Sequence, residues 1–252
     1  MQNATLKGLS KVPELTLIFW IVKIAATTLG ETGGDAVSMS MNLGYLVGTA
    51  IFAVIFLTMV IIQIKMPSFH PFIYWITIIA TTTVGTTMAD FADRSLGIGY
   101  AGGSLLLLFL LLASLATWYW TLGSISVNTV KEFKSEMFYW ITIMFSQTLG
   151  TALGDWTSDS AGFGYLGSAA LFSFLLVVIV VFYFRTKVSR IFLFWSAFIL
   201  TRPLGAVVGD FLDKPYDHGG LALSRYTASV ILFLFIVVCV LIFPNKAAKK
   251  TH

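Results

Sequence analysis

An all-α polytopic membrane protein with eight transmembrane helices is the fold class this sequence predicts, and three observations carry the prediction. The first is composition. Of 252 residues, 57% are hydrophobic and only 11% charged, where a soluble domain carries roughly a quarter charged residues. The second is a set of long uncharged runs: Ala36 to Ile64, Ser95 to Val130, Ser160 to Phe184 and Tyr226 to Asn245. Each suffices for a helix crossing about 30 Å of hydrocarbon, which takes roughly 20 residues. None has the alternating pattern of a β-barrel strand. The third is an internal repeat. Trp20, Gly30 and Asp35 recur with unchanged spacing as Trp75, Gly85 and Asp90, as Trp140, Gly150 and Asp155, and as Trp195, Gly205 and Asp210. A further glycine follows each aspartate (Gly44, Gly99, Gly164, Gly219), with a tyrosine after it in the first three copies (Tyr45, Tyr100, Tyr165). Self-similarity at this scale marks one supersecondary unit copied in tandem.

Each copy supplies two helices, expected at 13–30 and 44–64, 71–89 and 101–122, 137–154 and 166–184, and 191–209 and 223–243. The repeats run 12–65, 66–130, 131–187 and 188–245 within a single membrane domain. The first helix of each pair carries the Trp-to-Asp segment; the second is more uniformly apolar. The first apolar stretch contains Lys23 and no small-residue cleavage site, unlike a cleaved signal peptide. Cys239 is the only cysteine, which excludes an internal disulfide.

Lys and Arg set the expected orientation. Lys7, Lys11, Lys65, Lys131, Lys134, Arg185, Lys187, Arg190, Lys246, Lys249 and Lys250 fall on one side, against Arg94, Lys214 and Arg225 on the other. The positive-inside rule then makes both termini and every inter-repeat loop cytoplasmic. Two spans per repeat give all four copies the same orientation, so the repeats are parallel. The net charge of +4 reflects this sorting and implies no nucleic-acid partner; the expected surroundings are a lipid bilayer. Nine of twelve acids gather at the opposite side: Glu31, Asp35, Asp90, Asp93, Asp155, Asp159, Asp210, Asp213 and Asp217.

Eight, eleven and fifteen residues beyond each tryptophan lie on one helical stripe. That stripe reads Thr28, Glu31, Asp35 in the first copy and Thr83, Thr86, Asp90 in the second. It reads Thr148, Thr151, Asp155 in the third and Pro203, Ala206, Asp210 in the fourth, with Asp93, Asp159 and Asp213 extending the last three. Carboxylates and hydroxyls without thiol or imidazole suit hard cations such as Mn²⁺, Mg²⁺ or Ca²⁺. Cys239 is remote in sequence, and of the histidines only His218 is near the acids. The tryptophans read as interfacial anchors and the glycine before each aspartate as a close packing contact. Lys23 and Arg202 break the symmetry inside the membrane, where charges face a bundle interior and pair with acids. Glu31 shares a helical face with Lys23 and is its expected partner; Arg202 is expected to meet an acid of another repeat.

The Trp–Gly–Asp pattern resembles a bacterial integral membrane protein family defined by four tandem two-helix repeats of unknown function, each with a characteristic tryptophan. The resemblance spans about Val12 to Phe243 and rests on Trp20, Trp75, Trp140 and Trp195. It implies a multi-pass protein of the bacterial inner membrane and no particular activity. Glu31-Thr32-Gly33-Gly34-Asp35 also resembles the Glu-x-Gly-Asp signature of manganese and calcium transporters related to the Golgi cation family. It departs by one extra residue, and the other copies lack the glutamate.

The chain carries no nucleophile elbow, phosphate loop or zinc-protease motif and is expected not to be an enzyme. The leading expectation is an inner-membrane transporter of a hard divalent cation, with Mn²⁺ efflux as its specific form and no cofactor. Asp35, Asp90, Asp155 and Asp210 would hold the cation, assisted by Glu31, Thr28, Thr83 and Thr148. Lys23, Arg202, Asp93, Asp159 and Asp213 would tune it or couple it to protons. One alternative is an organic anion or zwitterion carrier clamping its substrate with Lys23 and Arg202. The other is a structural or sensory membrane subunit that transports nothing.

Overall fold

The computed structural model describes residues 10–243 and 246–248; Lys7, Lys249, Lys250 and His252 lie outside the described residues. Eight long helices occupy the described chain: α1 (Leu17–Asp35), α2 (Gly44–Lys65), α3 (Pro71–Asp90), α4 (Tyr100–Leu122), α5 (Phe133–Asp155), α6 (Gly164–Arg185), α7 (Arg190–Asp213) and α8 (Arg225–Ile242). No strand forms among the described residues beyond one isolated antiparallel bridge, Pro13 with Ala247. The first helix of each pair runs further than the sequence suggests, because α1, α3 and α5 end on the repeated aspartate itself and pass into a five-residue π-helical turn. In the fourth copy the α-helix continues to Asp213.

The odd-numbered helices form a closed ring in which α1 meets α3, α3 meets α5, α5 meets α7, and α7 returns to α1. The even-numbered helices lie outside. Each packs on the first helix of the following repeat: α2 on α3, α4 on α5, α6 on α7, and α8 on α1. The last helix thus closes the circle onto the first repeat, and no repeat is complete without its neighbour. This is how units that cannot bury their own apolar faces become stable in tandem.

Six helices are long and apolar enough to cross a membrane, all but α1 and α5. Those two belong to the ring and carry many buried polar side chains: Lys23, Thr27, Glu31 and Thr32 in α1, and Ser146, Gln147, Thr148 and Thr151 in α5. The peripheral helices reverse the pattern. Leu57, Phe109, Trp120, Phe174, Phe184 and Leu241 are exposed, a surface suited to lipid rather than water. The polarity of this protein is inside.

Ring contacts repeat cyclically, and the tryptophan is the first of them. Phe19 meets Trp75, Tyr74 meets Trp140, Tyr139 meets Trp195, and Phe194 meets Trp20, with ring centroids 5.5, 6.0, 6.4 and 6.0 Å apart. Trp75, Trp140 and Trp195 are buried, and Trp195 Nε1 donates to the Ile125 carbonyl at 2.9 Å. The reading of these residues as interfacial anchors is therefore corrected: they are a packed aromatic layer joining one repeat to the next. Tyr74 and Tyr139 share a hydroxyl hydrogen bond of 2.7 Å inside it.

The glycine ten residues beyond each tryptophan is the second cyclic contact. A Cβ on Gly30 would strike Thr82, one on Gly85 would strike Gln147 and Thr148, one on Gly150 would strike Arg202, and one on Gly205 would strike Thr27. In every case the obstacle is the residue seven beyond the tryptophan of the next repeat, so helix approach here requires the smallest residue. Four residues further on, Gly34, Gly154 and Gly209 face Thr86, Ala206 and Glu31 in the same cyclic sense. Because tryptophans meet at one end and aspartates at the other, the four ring helices run parallel.

The later glycine has a different cause. Gly44, Gly99, Gly164 and Gly219 have φ of 76°, 76°, 63° and 84° with open space around them, so backbone handedness and not crowding selects glycine. Gly99, at φ 76° and ψ 152°, lies in a region that is essentially glycine-only, and Gly99→Ala is expected to cost about 1–3 kcal/mol in reversible unfolding from mixed micelles, with the helical content of the folded state unchanged.

At the tryptophan end, the segment before α1 crosses the ring. Ser10 Oγ donates to Val127 O at 2.6 Å, and Lys11 Nζ donates to Ile64 O at 2.9 Å while pairing with buried Glu136 at 2.5 Å. Val12 packs into the aromatic core.

Candidate functional site

The ring interior is layered, and each layer is one register position of the repeat. Three residues beyond the tryptophans stand Lys23, Ile78, Ile143 and Phe198; seven beyond stand Thr27, Thr82, Gln147 and Arg202. All eight are fully buried. Eleven beyond stand Glu31, Thr86, Thr151 and Ala206, and fifteen beyond the four aspartates.

Arg202 holds the middle together. Its Nη2 donates to Glu31 Oε2 at 3.0 Å, to Thr86 Oγ1 at 2.6 Å and to Thr151 Oγ1 at 2.5 Å, so one side chain of α7 reaches α1, α3 and α5. Gly150 permits this, since a Cβ there would strike the Arg202 stem. Thr86 also donates to Glu31 Oε2 at 3.3 Å. Arg202 does meet an acid of another repeat, as its intramembrane position suggested. Glu31 is thereby taken, and Lys23 does not pair with it. Lys23 Nζ instead lies 3.4 Å from Thr201 Oγ1 and 4.1 Å from the centroid of the Phe198 ring.

The four aspartates stand at one end of the ring in two pairs. Lys214 Nζ lies 2.5 Å from Asp35 Oδ2 and 3.0 Å from Asp210 Oδ1. Arg94 lies 3.0 Å from Asp90 Oδ1 and 3.3 Å from Asp155 Oδ2. Both cations follow their own repeat's aspartate by one helical turn and reach the aspartate of the next repeat. Lys214, just past the end of α7, is pushed by burial toward a lower pKa; Asp210, Asp35 and Asp213 outweigh that and hold it well above the ordinary lysine value. It stays an ammonium and leaves its acids only by movement or displacement.

Within this arrangement Glu31, Asp35 and Asp210 each offer an oxygen, the three within 4.8 Å of one another, which is a geometry able to hold a metal ion. Asp35 Oδ1 accepts no hydrogen bond among the described residues. Asp90 and Asp155 belong to the Arg94 pair across the ring and not to this trio. Thr28, Thr83 and Thr148 spend their hydroxyl protons on the carbonyls of Ile24, Ile79 and Met144 one turn back. Asp213 pairs with Arg225 at 2.9 Å, and exposed Asp159 accepts from Tyr100 at 3.5 Å. Asp93 is buried against Gly103, its oxygens without a hydrogen-bond partner among the described residues.

Arg94 and Lys214 escaped the sequence reading, although the sequence holds the signal. The dipeptides eighteen and nineteen residues past each tryptophan are Ser38-Met39, Asp93-Arg94, Ser158-Asp159 and Asp213-Lys214. Copies two and four thus carry an acid followed by a base, and copies one and three do not. The fourfold repeat becomes twofold at its acidic rim.

Parallel two-helix units, lipid-suited exteriors and a buried charged interior define the class: a multi-pass helical membrane protein of four tandem repeats. The chain belongs to the family described as Repeat of Unknown Function (DUF347), whose model matches residues 18–67, 73–124, 138–189 and 193–243. No curated protein and no solved structure matches the chain.

Proposed function

We propose that this protein is a transporter of a hard divalent cation in the bacterial inner membrane, with Mn²⁺ efflux as its specific activity. All eight helices cross the bilayer and both termini are cytoplasmic. Support for this topology comes from Lys11, Lys65, Lys131, Arg185 and Arg190, which lie at the tryptophan end, opposite the acidic rim. The observation carrying the function is the Glu31–Asp35–Asp210 trio, three buried carboxylates from two adjacent repeats with oxygens within 4.8 Å. Oxygen-only ligands match hard cations, and buried acids inside a membrane bundle are expensive and mark ion pathways.

In this reading Lys214 is the internal substitute for the substrate. Its ammonium bridges Asp35 and Asp210, as Arg202 neutralises Glu31. An arriving dication displaces the Lys214 ammonium toward the rim, where its side chain is already 12% exposed, and departure of the cation lets the lysine return. Exchange then needs no cofactor, and the empty site is never left as bare buried charge.

The test is ⁵⁴Mn flux in proteoliposomes. Glu31→Gln, Asp35→Asn and Asp210→Asn are each expected to lower flux on the order of tenfold or more, since ligand charge sets affinity for hard cations. Asp90→Asn and Asp155→Asn are expected to retain most of it. Lys214→Gln removes the internal competitor and is expected to lower the Mn²⁺ concentration for half-maximal stabilisation. Undiminished flux in all three trio variants removes the trio from transport, and no flux in the wild type favours a structural or sensory subunit.

A further inference from the structure

Below the Glu31 layer lies a second cluster, of which the cation reading uses only the Arg202 contact with Glu31. Lys23, Thr82, Gln147 and Arg202 are all fully buried and occupy the registers three and seven residues past the tryptophans, from one of which Arg202 reaches α1, α3 and α5. Among the described residues no carboxylate lies within ion-pair distance of Lys23, whose ammonium meets the Thr201 hydroxyl and the face of the Phe198 ring. Arg202 uses only Nη2; its Nε and Nη1 have no hydrogen-bond partner, nor do Gln147 Nε2 and Oε1 or Thr82 Oγ1. Buried polar groups are hydrogen-bonded as a rule, and unpaired donors of this number in one layer imply an occupant. Glu31 is the one carboxylate that reaches this cluster, and it pairs with Arg202 alone, so Lys23 has no counter-charge among the described residues.

We propose that Lys23, Thr82, Gln147 and Arg202 form a buried site for one small monovalent inorganic anion of chloride size. The donor set fits: an ammonium, two free guanidinium N–H positions, an amide NH₂ and a hydroxyl, against one amide acceptor. Full burial and the flanking Ile78, Ile143 and Phe198 exclude a bulky organic anion, so the site differs from a clamp for a carried carboxylate. The anion pairs with Lys23 and takes up the Arg202 Nε and Nη1 that Glu31 leaves free.

The experiment is thermal unfolding of the full chain in detergent without divalent metal, in sodium chloride or bromide against sodium gluconate at equal ionic strength. Chloride and bromide are expected to raise Tm saturably over gluconate. Lys23→Met removes an unpaired buried charge, so it is expected to fold and to lose the halide-dependent shift; Gln147→Leu is expected to weaken it. Anomalous scattering from bromide-soaked crystals is expected to place one ion among Lys23, Gln147 and Arg202. Equal Tm in halide and gluconate, as an uncharged Lys23 or ordered water alone would give, overturns the proposal. So does a halide shift that survives unchanged in Lys23→Met. Because no metal is present, failure of the Mn²⁺ reading leaves this outcome untouched.

Discussion

Arg202→Met is expected to destabilise the protein by about 3–5 kcal/mol, the loss typical when one partner of a buried ion pair is removed. The cost arises from what remains. Glu31 is left charged and buried with only Thr86 donating to it, and Thr151 loses the guanidinium it accepted from. Removing both charges answers the question of mechanism. Glu31→Gln combined with Arg202→Met is expected to recover most of the loss, because hydrophobic replacement of a whole buried pair is often neutral. Reversible unfolding from mixed micelles measures both, and the coupling follows from the double-mutant cycle. A double variant as unstable as the sum of the singles would mean that Arg202 acts by packing and not by charge.

Gly150→Ala is expected to cost about 1–3 kcal/mol, the usual penalty for overfilling a packed interface, although alanine favours helix by nearly 1 kcal/mol. The added methyl would overlap the Arg202 Cβ and Cγ and press on Pro203 Cδ at 3.1 Å. Pro203 cannot yield easily, since its ring already interrupts the α7 hydrogen-bond ladder. The control lies in α1: a Cβ on Gly33 would meet nothing closer than Ser229 Oγ at 3.9 Å. Gly33→Ala is therefore expected to be neutral or stabilising. The same substitution with opposite signs at two helical glycines, read by Tm in detergent, separates propensity from close approach.

The fold class was legible because membrane burial writes itself in long uncharged runs, and the tandem repeat because its spacing never slips. The aspartates' shared position was legible too, from helical register alone. What escaped depends on partners far apart in the chain. Trp75, Trp140 and Trp195 look like interfacial anchors until the ring places each against the aromatic residue of the preceding repeat. Lys23 and Glu31 share a helical face, yet it is Arg202 that pairs with Glu31, its stem packed where Gly150 carries no side chain. The exchange of outer helices, each seated on the next repeat, has no local signature. The two-by-two pairing of the acidic rim is written in Asp93-Arg94 and Asp213-Lys214, a local departure set within an otherwise fourfold pattern.

The most direct test of the central claim is equilibrium Mn²⁺ binding to the purified full chain, followed by loss of the free-ion electron paramagnetic resonance signal. The account predicts one site per chain, abolished by Asp35→Asn or Asp210→Asn, weakened by Glu31→Gln and preserved in Asp90→Asn and Asp155→Asn. Absence of saturable binding, or equal loss in all four aspartate variants, would contradict it.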